Sequence, residues 1–313
     1  MGLLGSAVVG LLFPGQGSQY AGMGRDLYES LPAAHAVFDE ADDVLGFRLS
    51  QLCFEGPESE LTLTHNAQPA ILTHSVAVWR CIQDAIETDR IAAGHSLGEF
   101  SAYVAAGAME FADALRTVRR RGELMLHSGE ARPGTMAAVL GLDDDAVRAV
   151  CAEASGADGE CVAANFNAPG QTVISGDVAA VDRAIELAKT AGARRAIRLN
   201  VSGAFHSPLM QVAESGLAEQ LAGITIREPA FPVVSNVTAE PVRESAVARE
   251  LLRKQLTSPV RWTDGIRKMV ECGATRFVES GPGNVLTGLL KRIDKERAGQ
   301  AVGTVAEIAA LRG

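Results

Sequence analysis

Short, nearly continuous apolar runs alternate with longer amphipathic stretches along the whole chain. A short apolar run bounded by Gly or Pro reads as a buried strand, and apolar positions spaced i, i+3, i+4 over a longer stretch read as a helix. On these rules residues 7–13 form a strand that Pro14 ends, and residues 14–19 form a loop. Two or three helices follow, through Trp79 and Cys81; residues 91–94 form a second short strand and 97–106 a helix. Residues 131–199 read as a unit of their own. Strands are predicted at 135–140, 160–165, 171–175 and 194–199, with the middle two joined at Pro169-Gly170. One helix runs from an Asp143 cap to about residue 154, and another spans 177–191 and is ended by Gly192. The order β-α-β-β-α-β is ferredoxin-like. Beyond it come a helix at 207–221, a strand at 231–235, further helices, a strand at 276–279 and, after Gly281-Pro282-Gly283, a final helix. The alternation implies an α/β protein whose larger unit, residues 1–130 and 200–313, is interrupted by the smaller one.

Composition narrows the function classes. The 313 residues are 47% apolar and 21% charged, enough for a full-sized core. A net charge of −9 and an aromatic content of 5% argue against a nucleic-acid binder or a domain that lies on anionic lipid. The apolar start, residues 3–13, is too short to span a bilayer and lacks the basic flank of a secretory signal. Five cysteines (Cys53, Cys81, Cys151, Cys161 and Cys272) show no C-x-x-C spacing. They read as buried thiols in a reducing cytoplasm. Six histidines are spread singly, so no metal-ligand cluster is predicted.

The candidate chemistry centres on Gly94-His95-Ser96-Leu97-Gly98, a G-x-S-x-G pattern between a predicted strand and a predicted helix. A strand that turns sharply into a helix exposes its middle side chain at the helix N-terminus, where free N–H groups can stabilise an oxyanion. Ser96 is the candidate nucleophile, and a serine hydroxyl needs a base. His95 is adjacent and should point elsewhere, which suits a structural role. His35, His65, His74 and His127 have no special neighbours. His206 follows an irregular stretch after a strand and precedes Ser207-Pro208, so it can reach a cleft. On the helix predicted around residues 111–127, steps of about 100° per residue put Phe111, Ala114, Val118 and Met125 on one stripe with Arg121 at its edge. A guanidinium on the buried side needs an anionic partner. That partner is either a structural one, Glu99 or Glu123, or a ligand.

Taken together, these motifs resemble those of malonyl-CoA:acyl-carrier-protein transacylases. The resemblance runs from Phe13-Pro14-Gly15-Gln16-Gly17-Ser18-Gln19 through Gly94-His95-Ser96-Leu97-Gly98-Glu99-Phe100, Arg121-Gly122 and Asn165-Phe166-Asn167-Ala168-Pro169-Gly170-Gln171. It continues through Gly203-Ala204-Phe205-His206-Ser207 and the segment from Gln255 to Trp262, and ends at Val278-Glu279-Ser280-Gly281-Pro282-Gly283. It implies an α/β-hydrolase-like large subdomain, 1–130 and 200–313, with a ferredoxin-like small subdomain, 131–199, inserted. It implies a ping-pong transfer of malonyl from malonyl-CoA to the phosphopantetheine thiol of acyl carrier protein, supplying extender units for fatty acid synthesis. Ser96 would be the nucleophile and His206 the general base, with the oxyanion held by backbone N–H groups of Gln16 and Leu97. The Gln255 backbone carbonyl would orient the histidine, and Arg121 would hold the malonyl carboxylate in a bidentate pair.

Leu97, Ala204 and Phe205 match malonyl-selective relatives, and the loop with Asn165 and Asn167 lies at the site mouth by the same resemblance. From the residues alone, those two asparagines suit Asx-turn capping. The resemblance implies no cofactor and no metal; a monomer is expected. An acidic carrier protein would need a basic patch. The candidates are Lys189, Arg194, Arg195 and Arg198, or Lys291 with Arg292. Two rival readings keep the same Ser/His pair: a polyketide-synthase acyltransferase, and an acyl-thioester hydrolase, for which Asp177 is the candidate acid.

Overall fold

The computed structural model describes residues 8–86, 88–157 and 159–313. The part of the expected first strand at Ala7, and the apolar start before it, lie outside the described residues. The strands are β1 (Val8–Phe13), β2 (Arg90–Gly94), β3 (Gly134–Leu140), β4 (Cys161–Ala168), β5 (Gln171–Asp177), β6 (Arg195–Arg198), β7 (Val233–Val234), β8 (Pro241–Val242), β9 (Ala274–Ser280) and β10 (Ala298–Val302). They form two sheets, ordered β10-β9-β1-β2-β7-β8 and β4-β5-β3-β6. The first is parallel except at β7–β8; the second is antiparallel. This is the expected α/β class, with an antiparallel β-α-β-β-α-β unit set into a larger parallel one.

Strand β1 is central and buried on both faces. Leu11 and Phe13 join one apolar cluster and Leu12 the other, the period-two alternation of a strand between two layers. The helix Thr64–Ile82 is buried nearly all round and lies in the first layer, while Trp262, Ile266 and Met269 cover the opposite face. In the small unit, helices Asp144–Ala154 and Val178–Thr190 pack over the antiparallel sheet, and the Asp143 carboxylate caps the first by accepting from Ala146 N at 2.8 Å. The two units are stitched where β4 bulges, against the segment that leads into the helix Trp262–Glu271: Phe166 N donates to Val260 O at 2.9 Å and Val260 N to Ala164 O at 2.8 Å.

Several expected boundaries are corrected. Between β1 and β2 lie five α-helical segments rather than two or three. Pro32 starts one of them and Gly46 ends it, and Gly56 ends the next; both glycines are at positive φ. The strand expected at 231–235 shrinks to β7, and the helix expected at 207–221 opens with a 3₁₀ turn before Gln211–Ala222. The helix Val285–Ile293 is not final: β10 and the helix Val305–Arg312 follow it. Only Val302 of β10 is buried, so this edge strand carries almost no apolar signal. Cys272 is exposed, unlike the other four cysteines. No helix among the described residues is long and apolar enough to cross a membrane.

Candidate active site

Parallel pairing sets Phe13 beside Gly94, so the carboxyl ends of β1 and β2 meet at one edge. Ligand sites in open α/β sheets form at such edges. The turn after β2 is steric necessity. A Cβ on Gly94 would lie 1.9 Å from the carbonyl carbon of Gly98, and one on Gly98 would lie 2.1 Å from the Phe13 oxygen. With both neighbours bare, Ser96 adopts φ 52°, a left-handed conformation that costs a non-glycine residue about 1–3 kcal/mol. The loop after β1 packs on this elbow, because a Cβ on Gly15 would meet the His95 oxygen at 2.4 Å. His206 is also left-handed, at φ 57°. Its loop is fixed by Ser207, whose hydroxyl donates to Ala204 O at 2.6 Å.

These strained positions bring the two side chains together. Ser96 Oγ lies 2.8 Å from His206 Nε2, and His206 Nδ1 lies 2.9 Å from the Gln255 carbonyl oxygen. A carbonyl only accepts, so Nδ1 carries the proton and Nε2 is left as an acceptor for the serine hydroxyl. Burial, and next the Arg121 cation, push the imidazole down to about 3, so it is neutral at ordinary pH. Arg121 is fully buried. It donates to Gln68 Oε1 at 2.7 Å, Gln255 Oε1 at 2.9 Å and Ser96 Oγ at 3.0 Å. Burial lowers its pKa to about 9, still cationic at neutral pH.

Neither candidate ion pair for Arg121 forms directly. Glu123 pairs with Arg119 at 2.8 Å on the outer side of the helix Phe111–Ala131. Glu99 reaches Arg121 only through the Gln255 amide, whose Nε2 donates to Glu99 Oε2 at 2.6 Å and to Ser96 O at 3.0 Å.

A cavity of about 370 Å³ opens on the pair, walled among others by Gln16, Met125, Asn165, Asn167, Val201 and Phe205. The asparagines belong to β4, a correction of the turn-capping assignment. Asn167 Oδ1 meets His95 Nε2 at 2.8 Å, which turns that ring away from the Ser96–His206 line. Leu97 is buried at the helix N-terminus, one residue after Ser96. Asp177 lies on the small sheet, paired with Arg132 at 2.8 Å, and takes no part in this line. A larger cavity, about 680 Å³, lies around the amino ends of β1 and β2, near Arg90, Arg243 and Cys272, and contains neither Ser96 nor His206. Among the described residues no cluster of three His, Cys, Asp or Glu could hold a metal ion.

This serine–histidine–carbonyl geometry coincides with a family match. A family model described as the acyl transferase domain covers residues 11–309. The chain belongs to the acyl transferase family. It is 50% identical over 287 residues to a malonyl CoA-acyl carrier protein transacylase of Bacillus subtilis, spanning 92% of this chain and 90% of that protein. A solved acyl carrier protein S-malonyltransferase from Vibrio cholerae superposes with a TM-score of 0.94 at 43% identity, covering 97% of this chain and 99% of the other. A malonyl-transacylase solved in complex with a type II PKS acyl-carrier protein gives 0.93 at 42% identity, covering 97% and 99%.

Three features of this acyl transferase were not anticipated from sequence: Gln68, the side chain of Gln255, and Asn236. Asn236 Oδ1 accepts from Ser96 N at 2.7 Å while its Nδ2 donates to Gly94 O at 2.7 Å, bracing the elbow from a loop 140 residues away. Gln68 is buried beside other polar residues of the same helix, Asn66, Thr73, His74 and Ser75, so its polarity alone gave no signal.

Proposed function

We propose that this acyl transferase moves a malonyl group from malonyl-CoA to the phosphopantetheine thiol of an acyl carrier protein, in two exchanges at Ser96. It would act as an [acyl-carrier-protein] S-malonyltransferase of fatty acid synthesis, as a monomer in the cytoplasm. The observation that carries this is the hydrogen-bonded line from Gln255 O through His206 to Ser96 Oγ, with the Arg121 cation on the same oxygen. In the first exchange His206 Nε2 accepts the serine proton while Oγ bonds to the thioester carbonyl carbon. The C–S bond then breaks, and the proton leaves with the CoA sulfur. In the second, the carrier thiol gives its proton to Nε2, its sulfur bonds to the ester carbonyl, and Ser96 Oγ departs with that proton.

The oxyanion falls to the backbone N–H groups of Leu97, at the N-terminus of the helix, and Gln16, on the loop packed against the elbow. Arg121 exchanges its bond to Ser96 for the malonyl carboxylate, a charge-assisted pair that an acetyl group cannot make. Asn165, Asn167 and Phe205 line the channel beside the acyl group. No bound cofactor takes part in either step. For an acidic carrier, Lys291 and Arg292 are the better placed basic pair. Arg292 donates to Gln171, which walls a second cavity shared with Gln16, His95 and Asn167. On the small unit, Lys189 and Arg198 are already paired with Glu186 and Asp182.

A polyketide carrier is the second reading, favoured by the solved relative in complex with such a carrier. Intact mass after mixing with malonyl-CoA tests the proposal. A malonyl adduct should form, be absent in Ser96→Ala, and disappear on adding holo carrier protein with matching gain by the carrier. Release as free malonate would instead support a hydrolase.

A further inference from the structure

The transfer steps leave one buried acid without a task. Glu99 lies in the first turn of the helix Gly98–Ala105 and is wholly buried. Its Oε2 accepts from Gln255 Nε2 at 2.6 Å and from Asn236 N at 3.2 Å, while Oε1 is buried with no hydrogen-bond partner. The titratable groups around it come from several elements. Arg121 stands beyond the Gln255 amide on the helix Phe111–Ala131, His206 touches the Gln255 carbonyl, and Tyr103 lies one turn along Glu99's own helix. Of these, Arg121 is the cation, and the amide joins it to Glu99 in two hydrogen bonds.

With the site empty, one buried cation faces one buried acid. A malonyl carboxylate on Arg121 brings a second anion to the same guanidinium. Two carboxylates sharing one buried cation leave an uncompensated negative charge away from water, which is costly. A proton on the unpartnered Oε1 removes that charge and leaves Oε2 accepting from Gln255, so the geometry survives.

We propose that Glu99 takes up a proton when the malonyl carboxylate reaches Arg121 and gives it back when malonyl leaves, making Glu99 a positioning residue that sets the affinity for an anionic acyl group. This rests on Arg121 being the carboxylate anchor, as proposed above. Burial already pushes the Glu99 carboxyl up to about 7, against the lowering pull of Gln255, Asn236 and Arg121. A second anion pushes it further.

Calorimetry on the full-length Ser96→Ala protein, which binds acyl-CoA without forming the ester, tests this. Malonyl-CoA and acetyl-CoA are titrated in two buffers of different ionisation heat, at pH 6 and pH 8. At pH 8 malonyl-CoA should take up close to one proton more than acetyl-CoA; at pH 6 the difference should vanish. Malonyl affinity should fall about tenfold from pH 6 to pH 8 relative to acetyl. Adding Glu99→Gln, which keeps the acceptor and removes the charge, should abolish both effects and hold affinity near its pH 6 level. Equal uptake for both ligands, or uptake that persists with Glu99→Gln, overturns the inference. The calorimetry with Glu99 intact decides even if the double variant does not fold. Failure of malonyl-CoA to load the unmodified protein would overturn the transferase reading itself; normal loading without differential uptake overturns only the role of Glu99.

Discussion

Replacing Arg121 by Met keeps much of the side-chain bulk and removes the cation. The guanidinium makes three hydrogen bonds, to Gln68, Gln255 and Ser96. Loss of its pair with a malonyl carboxylate removes a charged hydrogen bond worth about 1.5–3 kcal/mol. In rate that is a factor of about ten to a hundred and fifty. The variant also strands the Gln68 and Gln255 oxygens, at roughly 1–3 kcal/mol each, so the protein should melt at lower temperature. That second effect lowers the amount of folded enzyme equally for every substrate. The informative quantity is therefore the ratio of kcat/KM for malonyl-CoA to that for acetyl-CoA, measured on one preparation by loading of Ser96. The ratio should fall by on the order of a hundredfold. Acetyl transfer itself should hold or rise, because Ser96 Oγ no longer accepts from a cation. A proportional decline of both substrates would refute the carboxylate role and leave Arg121 as a purely structural cation.

Three further outcomes follow from the geometry. Gly94→Ala puts a methyl group 1.9 Å from backbone that cannot retreat. It should cost about 3 kcal/mol or more in thermal unfolding and abolish loading of Ser96; an unchanged melting temperature would contradict the packing of the elbow. Burial pushes the His74 imidazole down to about 4, below its ordinary 6.5. A lowered histidine contributes stability that is whole above pH 6.5 and is lost as pH falls through 4, about 3 kcal/mol over that window. In urea denaturation between pH 7 and pH 4, His206 adds to that slope and the raised Glu99 opposes it, so the test is the difference: His74→Gln should remove about 3 kcal/mol of the pH dependence. Asp177→Asn breaks the pair with Arg132 on a partly exposed surface, so it should cost under about 1 kcal/mol. Malonyl loading should be unchanged; a tenfold loss would revive the hydrolase arrangement.

Ser96 was legible because the constraint is local: two glycines, a short apolar strand and a helix start are consecutive in the chain. His206 was half legible. Its loop between a strand and Ser207-Pro208 marked it as free to reach a cleft, but the partner 110 residues away came from the motif set. Gln255 illustrates the boundary. Its carbonyl was implied by resemblance, while its side chain, which touches Arg121, Glu99 and the Ser96 oxygen, has no signature in an amphipathic helix end. Helical periodicity put Arg121 at the edge of the apolar stripe, and it is buried. The same periodicity could not say that Glu99, from another helix, would meet it through an amide. Sidedness is written in one segment; which two sides face each other is written in the packing of several.

The way His206 is held bears on the proposed choice of a thiol over water as the acyl acceptor. A carbonyl on Nδ1 fixes the tautomer but supplies no full negative charge to stabilise an imidazolium, and Arg121 on Ser96 Oγ disfavours that cation further. His206 is therefore a weak base. Deprotonating an acceptor thiol, with a pKa of about 8.5, asks far less of such a base than deprotonating water, a much weaker acid. The proton-transfer penalty is therefore much smaller for the thiol, and general-base catalysis feels part of that difference. An acid in the place of Gln255 O would strengthen the base for both acceptors and help water most, because water needs the help more. A main-chain oxygen at this position thus fits an enzyme that must hold an ester in water long enough for a carrier protein to arrive.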